Sequence, residues 1–90
     1  MDYATALDLT KQRIGFTSSI RDVLILKIVE GVGEDLQQVH GIDLDLNKSR
    51  HLMLVVDMAV YRYQSKDDSG ALPRNLQYRL HNLILKDGGA

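Results

Sequence analysis

Leu52-Met53-Leu54-Val55-Val56-Asp57-Met58-Ala59-Val60-Tyr61-Arg62-Tyr63 is the stretch whose reading decides the fold. Its apolar residues recur at the three- and four-residue intervals of a helix, so Leu52, Val55, Val56, Ala59, Val60 and Tyr63 share a wide inner face. Met53, Leu54, Met58 and Tyr61 carry apolar surface beyond that face. A helix of this kind, expected to begin at Asn47 or Lys48 and to end near Gln64, needs cover on several sides.

The cover begins upstream. Ile20, Leu24, Ile28, Val32 and Leu36 form a stripe at four-residue spacing, and Val23, Ile25, Leu26 and Val29 broaden it. Ser19, followed three residues later by Asp22, has the form of a capping box, and Gly41 is the natural left-handed stop. A helix over 19–39 follows. Gly31 and Gly33 interrupt it at a cost of up to about 1 kcal/mol each against Ala, which implies close packing or a kink. Two such apolar helices joined by a short connection read as a central antiparallel hairpin. In the connection, Ile42, Leu44 and Leu46 alternate with Asp43 and Asp45, the period of a strand with no second strand to pair with. The segment is either an extended loop pinned by its apolar side chains or an edge that pairs with a neighbouring subunit.

Two outer helices complete the chain. One is expected over 3–14, with Asp2 as N-cap, Gly15 past its end and sparse apolar positions at Tyr3, Ala6, Leu7 and Ile14, so it reads as a surface helix on which Asp8 and Lys11 pair. The polar run 65–72 reads as a loop. Pro73 fits the first turn of a last helix whose stripe is Leu76, Leu80, Leu83 and Ile84, with 87–90 fraying. The fold class is all-α: one four-helix domain over 1–90, built round the hairpin, with a short extended segment between helices two and three.

Ninety residues support one domain, with a core thin enough to gain from a partner. The absence of Cys excludes disulfides and thiolate chemistry, no apolar run approaches the length of a membrane span, and no signal-peptide pattern opens the chain; the expectation is a soluble cytoplasmic protein. The net charge of −1 predicts no general affinity for nucleic acid. Its distribution is uneven. Residues 1–45 hold four Lys/Arg against eight Asp/Glu, residues 46–90 seven against four. A head-to-tail contact between unlike faces of identical copies would use that split.

Chemistry finds no foothold. Asp43-x-Asp45-x-Asn47 opens like a calcium loop, but Lys48 stands where Gly is needed and Leu54 where the final Glu belongs. Gly31-x-Gly33 lies inside a helix pattern with no third Gly to cradle a phosphate. His40, His51 and His81 are scattered, as surface or cap residues are, and no Ser has a nucleophile setting. No catalytic residue, cofactor or metal is expected, and no enzyme. Asp57, a carboxylate within an apolar helix, either faces solvent or is anchored by an Arg of another helix or subunit. Arg74, Arg79 and Lys86 form a solvated helix face or a strip for phosphates. The candidate subunit-interface residues are Ile42, Asp43, Leu44, Asp45, Asp57, Arg62, Arg74 and Arg79.

Asp57-Met58-Ala59-Val60-Tyr61-Arg62-Tyr63, then Leu72-Pro73-Arg74, then Tyr78-Arg79-Leu80-His81-Asn82-Leu83-Ile84 resemble the head-tail connector (adaptor, or head-completion) proteins of tailed bacteriophages. Lys11-x-Arg13-Ile14-Gly15 and Asp22-x-Leu24-x-x-x-Ile28 agree more loosely. The resemblance implies a structural virion protein, assembled in the host bacterial cytoplasm. Its partners would be copies of itself in a ring (a dodecamer in the virion), the portal protein, and a stopper or tail-completion protein. DNA would pass through without sequence-specific binding, and no membrane is involved. The competing readings are a small helical DNA-binding or regulatory protein and, last, a helical enzyme of the chorismate mutase type, for which the inner faces are too aliphatic.

Overall fold

The computed structural model describes residues 3–15, 18–64 and 73–87, which form α1 (Ala4–Ile14), α2 (Asp22–Gln38), α3 (Ser49–Gln64) and α4 (Arg74–Asp87), with no β-strand among them. The expected cap at Asp2, the loop over 65–72 and the fraying of 88–90 lie outside the described residues; Asp87, expected to fray, belongs to α4. The radius of gyration is 12.7 Å, close to the roughly 12 Å of a compact chain of this length. No helix among the described residues is long and apolar enough to cross a membrane.

The centre of the molecule is α3, which touches each of the other three helices, while among the described helices α4 packs on α3 alone. That is why Leu54 and Met58, outside the expected inner face, are buried together with Val55, Val56, Ala59 and Val60. Leu52 and Tyr63 are only partly buried. The last turn of α3 lies beside the middle of α2, where Arg62 approaches Gly31.

Helix α2 starts later than its sequence suggests. The Asp22 N–H donates to the Ser19 carbonyl at 3.1 Å, but no side-chain cap closes the helix start. The Asp22 carboxylate does not complete a capping box; it faces Lys11 of α1, with 2.7 Å between Nζ and a buried Oδ1 in a contact not aligned as a hydrogen bond. Lys11 therefore pairs across helices and not with Asp8. The buried stripe is Ile25, Val29, Val32, Gly33 and Leu36, so the four-residue series beginning at Ile20 crosses from outside to inside as it climbs. Gly41 does hold the left-handed conformation (φ +68°), and Ile42 N–H donates back to the Leu36 carbonyl at 2.9 Å, folding the chain over the helix end.

Helix α1 is not the peripheral element its few apolar residues suggested. It lies antiparallel to α2, Lys11 meeting Asp22 at one end and Tyr3 covering Gly33 at the other. Ala6 and Thr10 are fully buried against its neighbours, and the Thr10 hydroxyl donates to the Ala6 carbonyl at 2.7 Å, satisfying the buried oxygen within the helix. Small residues allow the close approach. A Cβ on Gly33 would overlap the Tyr3 hydroxyl and lie 2.7 Å from its ring. Burial raises the Tyr3 pKa above its ordinary value, and Glu34 and Glu30 nearby raise it further.

Two sets of variants test this packing. Leu54→Ala and Val56→Ala are expected to destabilise the fold by about 2–4 kcal/mol in denaturant unfolding, with Lys86→Ala near neutral. Gly33→Ala is expected to cost about 1–2 kcal/mol by displacing the Tyr3 ring. In a Tyr3→Ala background the same change should stabilise by up to about 1 kcal/mol, because only helix propensity then remains. Equal effects in the two backgrounds would refute the Tyr3–Gly33 contact.

Candidate functional site: the α3–α4 cleft and its ionic anchor

Helices α3 and α4 run antiparallel, and the pairing can be followed residue by residue. Arg50 and Leu54 of α3 share a cleft with Lys86 and Leu83 of α4, and Asp57, one turn further along α3, meets Arg79. The cleft encloses about 360 Å³ and is lined by Arg50, Leu54, Arg79, Asn82, Leu83 and Lys86. Leu54 and Leu83 are buried and form its floor; Arg50 and Lys86 are exposed and stand at its rim, one from each helix. Among the described residues, its lining is three cations, one amide and two leucines. Such a lining is chemically suited to an anionic group beside an apolar one.

Asp57 anchors the cleft. Its side chain is only 18% exposed, Arg79 Nη1 donates to its Oδ2 at 2.6 Å, and Arg13, from the last turn of α1, donates to Oδ1. The carboxylate neither faces solvent nor waits for another subunit: arginines of two helices in the same chain hold it. Charge-assisted hydrogen bonds of this kind offset the desolvation that an apolar helix imposes on a carboxylate. Two guanidinium groups on one carboxylate leave a surplus positive charge at this end of the cleft.

The other residues singled out by sequence are placed as follows. Ile42 and Leu44 are buried in the chain's own core and Leu46 packs partly against it. Asp43 is exposed. The Asp45 N–H donates to His51 Nδ1 at 3.0 Å, and its Oδ1 accepts from the Asn47 N–H at 3.0 Å, a local turn that buckles the segment. The alternation of 41–47 thus serves the intramolecular core, as a pinned loop does. His51, expected at a surface or cap, is buried as the acceptor for that backbone N–H. Arg62 donates to Asp35 of α2 at 2.5 Å, both side chains being a little under half exposed. Arg74 lies in the open with Gln77, Tyr78 and His81.

Asp57 and Arg79 are therefore brought together, while Arg62, Arg74 and the 41–47 segment lie apart from the cleft. Sequence reasoning missed Arg13, Arg50 and Asn82. The signal for Asn82 was present, since Arg79, Asn82 and Lys86 fall on one stripe of α4 at three- and four-residue spacing. Nothing local in the sequence marked Arg13 as a partner of Asp57, 44 residues away. Among the described residues no group of three or more His, Asp or Glu is placed to hold a metal ion. A scan against protein-family models finds no match, and neither curated proteins nor solved structures match the chain.

The anchor yields a double-mutant test. Asp57→Asn should lower stability by about 1–2 kcal/mol, and Arg79→Ala should cost measurably less in that background than in the wild type. Additive losses in denaturant unfolding would show that the two side chains do not share an interaction.

Proposed function

We propose that this chain is a structural subunit of a homo-oligomeric ring of head-tail connector type, joining the portal of a tailed bacteriophage head to the tail and lining the passage for DNA. The observation that carries the reading is a cluster of bare aliphatic side chains. Ile20, just before α2, and Val23 and Leu24, in its first turn, are 88%, 74% and 52% exposed. Single exposed hydrophobics are ordinary, but three exposed aliphatic side chains within five residues of one helix start favour a surface that another protein covers. Tyr78 and Leu85 add exposed apolar surface on α4.

The uneven charge of the two halves supports assembly from identical copies, and the strings around Asp57, Pro73 and Tyr78 support the connector family. In this reading α2 and α3, the expected central hairpin with its extended connection, form the protomer's frame. The portal and a stopper or tail-completion protein are the partners on either side, and the ring is a dodecamer in the virion. The role is scaffolding, without catalysis. A second reading, a small DNA-binding protein, draws on the basic side chains Arg74, Arg79 and Lys86 of α4. The charge of Arg79, however, is directed inward to Asp57.

Sedimentation velocity at rising protein concentration, with electron microscopy of the largest species, tests the proposal. Mass should grow with concentration, fall with added salt, and end in closed rings. A chain that stays monomeric at every concentration and is retained on duplex DNA in a salt-dependent manner would favour the second reading instead.

A further inference from the structure

On the assembly reading above, we infer that the outward stripe of α2 on one copy docks into the α3–α4 cleft of the next. Val23, Lys27, Glu30 and Glu34 follow one another at three- and four-residue spacing, so they share the face of α2 opposite its buried stripe. Ile20 and Leu24 flank the apolar end of this face. The face therefore reads from aliphatic to acidic along roughly 16 Å of helix, the rise from Val23 to Glu34.

The cleft has the complementary composition. Leu54 and Leu83 give it an apolar floor, and Arg50 and Lys86 give it a basic rim with no carboxylate among the described lining residues. Of the acids facing it across the contact, Glu30 has only a loose contact with Lys27, at 3.5 Å, and Glu34 is exposed.

The two surfaces do not meet within one copy, since α2 and α4 are not in contact. Only a second copy brings them together. Because the contacting surfaces differ, the contact is head-to-tail, the kind that closes into a ring or continues as a filament. A nucleic acid would satisfy the basic rim but leave the aliphatic end of α2 bare, whereas a second copy satisfies both.

A charge exchange tests the pairing. Glu30→Lys/Glu34→Lys and Arg50→Glu/Lys86→Glu are made as two double variants and measured by sedimentation velocity, alone and as an equal mixture. Each alone should associate at least about tenfold more weakly than wild type, which is about 1.4 kcal/mol. The mixture should recover association, because each reversed surface then finds its opposite, and its closed species should contain even numbers of subunits. Circular dichroism confirms that each variant is folded. For any that is not, the neutral pair Glu30→Gln/Glu34→Gln or Arg50→Gln/Lys86→Gln replaces it, with the same weakening expected.

If wild type associates and folded variants associate equally well, the docking surfaces are wrong while the assembly reading stands. Wild type that never associates overturns both. Loss of duplex DNA retention in Arg50→Glu/Lys86→Glu, with self-association intact, assigns the cleft to nucleic acid and overturns the inference.

Discussion

A single carboxylate on the most enclosed helix constrains this molecule. Asp57 is the one acidic residue of α3, set between buried Val56 and buried Met58. A carboxylate there is tolerable only where the helix surface turns toward cations. The fold supplies one at the end of α1 and another in the middle of α4. The consequence is directional, because α4 has no helix other than α3 to rest on. Leucines bury α4 against α3, but an apolar stripe tolerates sliding and rotation; the Arg79–Asp57 bond fixes the register. That register sets Leu83 beside Leu54 and Lys86 near Arg50, and so shapes the cleft.

The opposite side of α3 is organised by size and not by charge. Ala6, Thr10 and Gly33 are the small residues where α1, α2 and α3 come together, and they let α1 settle deeply with few large side chains. Tyr3 then lies over the glycine surface as a lid on the α1–α2 pair, and Lys11 closes the far end on Asp22. Close contact of small residues replaces bulk, because dispersion between well-fitted surfaces grows with the number of neighbours and not with side-chain volume.

Periodicity and helix-ending signals made four helices and most of their boundaries legible in the sequence. Gly15 and Gly41 both adopt the left-handed conformation their positions implied. What hydrophobicity could not convey was the depth of α1, because Ala and Thr carry little apolar area. It also misplaced the face of α2: nearly every residue in its first half is apolar, and a pattern that is apolar all round does not say which side is inward. The Ser19–Asp22 box failed because a cross-helix cation competed for the carboxylate. At the cleft, Asp57 stood out as anomalous and Arg79 as basic. Their union depends on how α4 returns along α3, and pairings of that range are invisible to local spacing.

The basic rim of the cleft is composite. Arg50 belongs to α3 and Lys86 to α4, and neither helix presents the pair alone. The surface exists only where α4 is docked on α3. In the docking inferred above, completion of the fold and competence to recruit a neighbour would be one event, so the surface would act as a checkpoint that excludes half-folded copies from a growing assembly.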